Sequence, residues 1–224
     1  LHSPKARPGR MVLGHWGADL DFYDRVMDGG DGRRHGFVST GKELRDMPTL
    51  VEAFNSVGAD LDIYVGRDIG GVCYESVFSK LTMEPNVRLH FTERLIPYEL
   101  SLKVNRAECV VICCERTKYT VGLTTVVEAL ALGLPIVCSR NPQIPVDLDA
   151  EGCGISVPYY DVEGWERAIS YISSHPDEAR EMGHRGRRLA ERLYNDRRCA
   201  REVAQVIKEC VASDRASAHA SARA

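Results

Sequence analysis

One stretch in the middle of the chain constrains the fold more than any other, because it joins two apolar strands through a glycine turn and a helix. Residues 109–113 form a short apolar run, Gly122 opens a turn, residues 125–132 have a helical pattern, and residues 134–138 form a second apolar run. Strand, turn, helix and strand in this order are typical of a parallel sheet, whose strands are joined by helical crossovers. The stretch therefore predicts an α/β fold with a buried parallel sheet.

The same alternation extends on both sides of this stretch. The predicted strands are 37–40, 61–65, 87–91, 109–113, 134–138 and 155–157, and the predicted helices are 48–57, 70–81, 97–105, 125–132, 162–173 and 176–212. Strands separated by helices indicate a doubly wound, Rossmann-like parallel sheet, here followed by C-terminal helices.

Three segments are predicted along the chain. Residues 1–34 are a flexible lead and interdomain linker, containing a short strand and turn at 14–23 and ending in a run of Asp, Gly and Arg. Residues 35–212 form the α/β domain. Residues 213–224 are of low complexity and are predicted to be a disordered tail.

Composition excludes several classes of function. A net charge of −3 gives no reason to expect a nucleic-acid binder, because such domains usually carry an excess of basic surface. The eight cysteines lie mostly in apolar runs without CxxC or zinc-type spacing, which predicts reduced thiols, a cytoplasmic location and no metal site. No apolar run reaches the length of about 20 residues that a membrane helix needs.

In an open parallel sheet, ligands bind beyond the carboxyl ends of the strands. The loop after the first strand, 41–46, contains Lys42 and Arg45, which suit a phosphate; the alternative interpretation is a pair of solvated surface cations. The match of 36–42 to GxxxxGK is not a P-loop, because Glu43 stands where a magnesium-binding Ser or Thr is needed. A GxGxxG dinucleotide fingerprint is absent after every predicted strand.

The turn at Gly122 is the second candidate anion site, because backbone N–H groups at a helix N-terminus attract phosphates. Glu128 follows on the same helix and suits the vicinal hydroxyls of a ribose. Alternatively, Glu128 forms a capping box with Thr125, and spacing alone leaves both interpretations open. Glu115 lies just past a strand end and is a candidate for contact with a polar ligand, whereas His90 is interpreted as an ordinary sheet residue.

Two segments resemble a known family. Residues 40–54, TGKELRDMPTLVEAF, and residues 122–137, GLTTVVEALALGLPIV, are similar to the C-terminal, sugar-nucleotide-binding domain of family 4-type glycosyltransferases of the GT-B fold. Shorter similarities occur at 16–23, which resembles the segment joining the two GT-B domains, and at 152–158. The resemblance implies a hexosyltransferase that transfers the sugar of a nucleoside diphosphate sugar to an acceptor with retention of configuration, without a metal or a cofactor.

The resemblance also assigns roles to residues. It implies that Lys42 and Arg45 act as the catalytic pair by holding the donor diphosphate, and that Glu128 takes the ribose hydroxyls. It further implies donor contacts from three groups of residues: the phosphate loop at Gly41, the turn at Gly122, Leu123 and Thr124, and the backbone of Leu95 and Ile96, which would meet the base.

The chain departs from the family pattern in two respects. The family usually has a second glutamate eight residues before the ribose-binding one, close to the transferred sugar, and that position is Thr120 here. The family's N-terminal acceptor-binding domain is not in this sequence, so we expect it as a further domain or a partner chain, and expect any peripheral membrane association to come through it. Two alternatives stay open: a non-catalytic nucleotide-sugar-binding module that needs a partner chain, and a sugar-nucleotide epimerase of the same fold.

Overall fold

The computed structural model describes residues 12–30, 32–41, 43–69 and 71–221, apart from the side chains of residues 69 and 213–221. The predicted lead at 1–10 and the predicted role of Lys42 concern residues outside these ranges. The helices are α1 (Leu20–Asp28), α2 (Met47–Val57), α3 (Tyr74–Phe78), α4 (Pro97–Asn105), α5 (Leu123–Ala131), α6 (Val162–Ser174), α7 (Pro176–Arg192) and α8 (Asp196–Ser221). The strands are β1 (Phe37–Thr40), β2 (Leu61–Val65), β3 (Asp68–Ile69), β4 (Val72–Cys73), β5 (Val87–Phe91), β6 (Cys109–Ile112), β7 (Ile136–Ser139) and β8 (Gly154–Val157).

Six strands form one parallel sheet in the order β5-β2-β1-β6-β7-β8. The predicted doubly wound α/β fold is therefore confirmed, and each predicted strand of the sheet lies within two residues of its observed bounds. The three central strands β1, β6 and β7 are buried at every position. Strands that are buried at every position indicate that helices cover both faces of the sheet.

Two hydrophobic cores lie on opposite faces of the sheet. On one face, α2 packs against α6 around Phe54 and Trp165, both of which are fully buried. On the other face, α5 packs against α7, and α1 packs against α4 and α5. Burial of these faces at about 25 cal/mol per Å² supplies the main driving force for folding.

The segment predicted as one helix over 70–81 differs in the structure. A short antiparallel hairpin of β3 and β4 comes first, and α3 begins only at Tyr74. The helical prediction for 71–73 is therefore wrong, because Gly71, with φ at +82°, precedes a short strand instead of opening a helix.

The first described residues also differ from their predicted structure. A helix, α1, replaces the short strand and turn predicted within 14–23, and the Asp19 carboxylate caps it by accepting the N–H of Phe22 at 2.9 Å. Tyr23 and Val26 on α1 are buried in the core. The second half of the segment predicted as lead and linker thus contributes to the packing of the α/β domain.

The long helix predicted over 176–212 is two helices. Asn195 lies between α7 and α8 and is only 5% exposed. Its side-chain amide donates to the carbonyl of Ala190, and its oxygen accepts the N–H of Arg198, each within 2.9 Å. One side chain therefore satisfies the end of one helix and the start of the next. Beyond it, α8 continues to Ser221 through the segment predicted as disordered, consistent with the helix propensity of its alanines.

The cysteines are all free. Five of them are buried in or beside the sheet, whereas Cys73 and Cys210 are exposed. Burial raises the pKa of the Cys109 and Cys138 thiols well above the usual value, which keeps them protonated and unreactive. Within the described ranges, no helix combines the length and apolar character that crossing a membrane would require.

Candidate functional site

The strand order places a crevice at the carboxyl ends of β1 and β6. From β1 the sheet continues to β2 and β5 on one side, and from β6 it continues to β7 and β8 on the other. Ligands of open α/β sheets bind at such a reversal of strand order. Most of the candidate residues predicted from the sequence lie on or next to the two loops that follow these strands, 41–46 and 113–122.

Backbone hydrogen bonds tie these two loops together. The N–H of Asp46 donates to the carbonyl of Cys113 at 3.1 Å, and the N–H of Glu115 donates to the carbonyl of Leu44 at 2.9 Å. Leu44, the acceptor of the second bond, has φ at +46°, a left-handed conformation that is costly for a residue with a Cβ. Residues 44–46 are thereby bonded to the loop after β6.

Arg45 lies inside this junction with only 7% of its surface exposed. Its guanidinium donates to the carbonyls of Thr40 at 3.1 Å and Glu43 at 2.9 Å, to the Thr125 hydroxyl at 3.3 Å and to the Cys114 sulfur at 3.4 Å. All four acceptor atoms are uncharged. The ion pairs formed by the described residues do not include Arg45. The interpretation of this cation as a solvated surface residue is therefore wrong.

Gly41 makes room for the Arg45 guanidinium. Its φ is +130°, and a Cβ built on Gly41 would fall on the Nη2 atom of Arg45. Any larger residue at position 41 would displace the guanidinium. The absence of a Cβ at Gly41 therefore leaves the space that the guanidinium occupies. The contact of Gly41 with the donor stays a prediction.

The N-terminus of α5 forms the other side of the junction. Gly122 is the N-cap residue with φ at +90°, and no side chain caps the helix there. A Cβ on Gly122 would approach Cγ2 of Ile112 to 2.9 Å, which is closer than real Cβ contacts. The first N–H groups of a helix have no intrahelical acceptor, so the amides of Leu123 and Thr124 are available to an anion. The hydrogen bond from Arg45 to Thr125 places the buried cation beside this helix end.

Glu128 does not form the predicted capping box. Because α5 begins at Leu123, Thr125 is already its third residue and cannot be the N-cap. The Glu128 carboxylate lies near Tyr23, which comes from α1. Burial, reinforced by the Glu128 carboxylate, raises the pKa of Tyr23 well above its usual value, so the phenol stays protonated.

Leu95 and Ile96 lie in the loop between β5 and α4, two strands away from β1 in the sheet. The N–H of Leu95 donates to the carbonyl of Thr92 at 3.0 Å, and the N–H of Ile96 donates to the carboxylate of Glu99 at 3.1 Å. A ligand that used these amides would therefore replace an existing hydrogen bond. The Ile96 side chain is 58% exposed.

Glu115 and Thr120 lie on the loop after β6, and both side chains have partners. The Tyr160 hydroxyl donates to Glu115 at 2.7 Å and accepts the N–H of Arg116 at 3.1 Å. The Thr120 hydroxyl donates to the carbonyl of Gln143 at 2.9 Å, in the loop that follows β7. That loop borders a cavity of about 540 Å³, which is lined by residues 138–142, 144–150 and Ser156.

His90 lies on β5 and packs within the sheet, as predicted. Its ring stacks on Tyr64 at 4.6 Å between centroids, and its Nε2 lies 2.7 Å from the Asp62 carboxylate. Arg88 also binds Asp62, and this hydrogen bond, together with that from His90, lowers the pKa of the Asp62 carboxyl.

The structure thus brings Gly41, Arg45, Gly122 and Thr125 together at one junction, while the loop at 95–96 lies further along the same edge of the sheet. Sequence reasoning missed Tyr23, which lies near Glu128, and Tyr160, which donates to Glu115. Tyr23 had a detectable signal, because Leu20, Tyr23 and Met27 recur at helical spacing after the capping residue Asp19. No sequence pattern indicated Tyr160, because its contact with Glu115 joins two loops that are distant in the sequence.

A parallel sheet wound in both directions from a switch point places this chain in the class of Rossmann-like α/β domains. Comparison with known proteins specifies the family: residues 50–189, more than half of the chain, match the glycosyl transferases group 1 family. The chain belongs to this family, which confirms the predicted relationship to glycosyltransferases. Its assignment to family 4 stays a prediction.

Solved structures show the same fold. A sucrose-phosphate synthase from Thermosynechococcus elongatus superposes with a TM-score of 0.68 at 19% identity, over 88% of this chain and 52% of that one. HepE from Anabaena, solved in complex with UDP, superposes with a TM-score of 0.68 at 12% identity, over 86% of this chain and 56% of that one. The chain therefore has the fold of one half of a GT-B glycosyltransferase.

Curated relatives match over shorter segments. A D-inositol 3-phosphate glycosyltransferase of Saccharomonospora viridis is 33% identical over 91 residues, which are 41% of this chain and 21% of the relative. An MMP alpha-(1->4)-mannosyltransferase of Mycolicibacterium hassiacum is 28% identical over 125 residues, 55% of this chain and 30% of the relative. The matched segments thus span less than a third of either relative's length.

Proposed function

We propose that this chain is the donor-binding part of a glycosyltransferase and that it holds a nucleoside diphosphate sugar with the diphosphate between Arg45 and the N-terminus of α5. The observation that carries the proposal is the buried guanidinium of Arg45, which has only uncharged acceptors and lies beside an uncapped helix end.

The electrostatics of the junction favour a dianionic ligand. Taking a cation out of water is costly unless an opposite charge accompanies it. The partial positive charge at the start of α5 adds to that of Arg45, so the two together attract an anion. Lys42 in the same loop is proposed to supply a second cation. A diphosphate would satisfy both the guanidinium and the free amides of Leu123 and Thr124.

The same arrangement suggests how the chain would assist transfer. As the bond between sugar and diphosphate breaks, negative charge grows on the departing nucleoside diphosphate. Cations and amide dipoles fixed in advance at that place stabilise this charge more than they stabilise the intact donor, which lowers the barrier. Neutralisation by Lys42 and Arg45 takes the part that a metal ion has in other transferases. Retention of configuration follows from the family resemblance and belongs to the same proposal.

Other donor contacts follow from the positions of the candidate residues. The Glu128 carboxylate is proposed to accept the ribose hydroxyls, and the loop at 95–96 to contact the base. Glu115 and Thr120 lie on the loop after β6, where the sugar would extend from the diphosphate. The neutral Thr120 hydroxyl in place of a carboxylate suggests a different set of sugar contacts from that of relatives with a glutamate there.

The second candidate function is a donor-binding module that is active only with a partner chain. The chain covers about half of each of two neighbouring structures, 52% of the sucrose-phosphate synthase and 56% of HepE. Both candidates share the donor site, and they differ in whether this chain alone transfers or hydrolyses the donor.

A ligand screen tests the shared donor site. We expect one of UDP, GDP, ADP and dTDP to stabilise the chain against thermal unfolding, by about 2.7 kcal/mol at 100 times its dissociation constant. Inorganic phosphate at the same ionic strength is the control for non-specific anion binding. Absence of stabilisation by all four at millimolar concentration, confirmed by calorimetric titration, would exclude the proposed site. Product analysis with the labelled sugar nucleotide then separates transfer or hydrolysis from epimerisation.

A further inference from the structure

We infer that Asn141 is a positioning residue that fixes Thr120 at the place where the sugar of the donor would lie. The inference rests on the proposed function, since it concerns the loop after β6, along which the sugar would extend from the diphosphate. It brings in the loop after β7, which contains none of the candidate residues predicted from the sequence.

The first observation is the burial and bonding of Asn141. This residue follows β7 directly and is only 6% exposed. Its side-chain oxygen accepts the N–H of Gln143 at 2.9 Å, and its main-chain carbonyl accepts the N–H of Ile144 at 3.0 Å. Because the oxygen is bonded within this turn, the N–H groups of the same amide point away from the turn and can donate to a second segment.

The second observation is a pair of hydrogen bonds that joins this turn to the loop after β6. The Nδ2 atom of Asn141 donates to the carbonyl of Tyr119 at 3.1 Å, and the hydroxyl of Thr120 donates to the carbonyl of Gln143 at 2.9 Å. The carbonyl of Tyr119 also accepts the hydroxyl of Thr117 at 2.7 Å. The carbonyl that Asn141 holds belongs to the planar peptide that joins Tyr119 to Thr120, so Asn141 orients the backbone at Thr120 directly.

The hydrogen bond to Gln143 determines what Thr120 can offer to a ligand. A hydroxyl has one hydrogen to donate and two lone pairs that accept. Because the hydrogen of Thr120 is donated to Gln143, its oxygen is left to accept, which suits a sugar hydroxyl that donates. Asn141 and Gln143 together therefore set both the position and the polarity of this oxygen.

The N-terminus of α5 is held by different contacts. Val121 is 3% exposed and belongs to the same core cluster as Ile112 of β6. Gly122 lies so close to Ile112 that a Cβ would approach its Cγ2 to 2.9 Å. These contacts do not involve Asn141, so we expect a change at Asn141 to move Thr120 and to leave the amides proposed to bind the diphosphate in place.

The variant that tests the inference is Asn141→Ala. Calorimetric titration compares three pairs of ligands: UDP with UDP-glucose, GDP with GDP-mannose, and ADP with ADP-glucose. For the pair that the wild-type chain binds, we expect the ratio of sugar-nucleotide affinity to diphosphate affinity to fall by about fivefold in the variant. Affinity for the nucleoside diphosphate alone should stay within about twofold of wild type.

Asn141→Ser is a second variant for the case that the alanine variant does not fold. A serine hydroxyl can still accept the N–H two residues further on, as asparagine does in this turn, but it is too short to reach the carbonyl of Tyr119. We expect the same fall in the affinity ratio.

Thr120→Val tests whether Asn141 acts through Thr120. This change removes the hydroxyl that meets the sugar and should also lower the ratio by about fivefold, whereas Thr120→Ser keeps a hydroxyl and should retain the wild-type ratio. If both residues serve one contact, the double variant Asn141→Ala with Thr120→Val loses about as much as either single variant. Independent contributions would multiply to about 25-fold.

Asn195→Ala is the matched control. Asn195 is 5% exposed, and its side-chain amide donates to the carbonyls of Ala190 and Glu191, each at 2.9 Å, between α7 and α8. The control thus loses a buried asparagine amide of the same kind outside the two joined loops. We expect its stability to fall and its affinity ratio to stay that of wild type.

The outcomes are distinct. An unchanged ratio in Asn141→Ala or Asn141→Ser, an equal loss of affinity for both ligands of a pair, or multiplied effects in the double variant overturns the positioning role and leaves the proposed diphosphate site standing. Binding of a nucleoside diphosphate without its sugar ester by the wild-type chain does the same. If the wild-type chain binds no nucleoside diphosphate, both the inference and the proposed function fail. A fall in the ratio that is absent from Asn195→Ala and not multiplied in the double variant supports the inference.

Discussion

Replacing Arg45 with methionine is expected to weaken nucleoside diphosphate binding by about 100-fold, near 3 kcal/mol, because a buried, charge-assisted contact to the diphosphate is lost. Methionine keeps much of the volume of the side chain in a site that is 7% exposed. Arg45→Lys keeps the charge but loses the planar fork that donates to Thr40, Glu43 and Thr125, so we expect a smaller loss of about tenfold.

Calorimetric titration measures this effect, and Arg180→Met is its control. Arg180 lies exposed on α7 and pairs with Asp177 of the same helix, so its loss changes the net charge equally without reaching the junction. Chemical unfolding of each unliganded variant shows whether the fold is retained. Binding by Arg45→Met within twofold of wild type would place the diphosphate elsewhere.

Replacing Gly122 with alanine is expected to reduce both stability and binding. The residue has φ at +90°, where a Cβ costs about 1–2 kcal/mol, and the new methyl group would approach Ile112 to 2.9 Å. Relief of this contact requires a shift of the α5 N-terminus relative to β6. We expect unfolding free energy to fall by about 2 kcal/mol, and diphosphate affinity to fall by about tenfold because the amides of Leu123 and Thr124 move.

Gly58→Ala separates backbone strain from displacement of the site. Gly58 ends α2 with φ at +76°, and a Cβ there has no neighbour within 4 Å. This variant should lose about 1 kcal/mol of stability through the same left-handed strain while binding as wild type does. Equal binding by the Gly122→Ala and wild-type chains would contradict the role of the α5 N-terminus.

The parts of the fold that could be predicted from the sequence are those whose own residues determine their structure. The segments 61–65 and 87–91 are strands with the predicted bounds, because apolar residues alternate in them with polar or half-buried ones, which is the period-two pattern of a strand. The break between α7 and α8 was missed because it depends on Asn195, whose amide and oxygen satisfy two helix ends through contacts that periodicity does not show.

The candidate site, like the fold, could be predicted from the sequence only in part. The rule that ligands bind at strand carboxyl ends selected the loop of Arg45 and the turn of Gly122, and the structure places them side by side. The burial of Arg45 was not predictable, since it depends on the missing Cβ of Gly41 and on acceptors from three separate segments. The proximity of Tyr23 to Glu128 was missed because the segment of α1 was interpreted as a strand and linker.

The central claim, that a diphosphate lies between Arg45 and the start of α5, is tested most directly by the backbone amide chemical shifts of the isotope-labelled chain during titration with the nucleoside diphosphate that binds. The account predicts the largest changes at the amides of Gly122, Leu123 and Thr124 and at the Nε–H of Arg45, saturating together with the calorimetric isotherm. Changes centred instead on the cavity lined by residues 144–150, with these four signals unmoved, would contradict it.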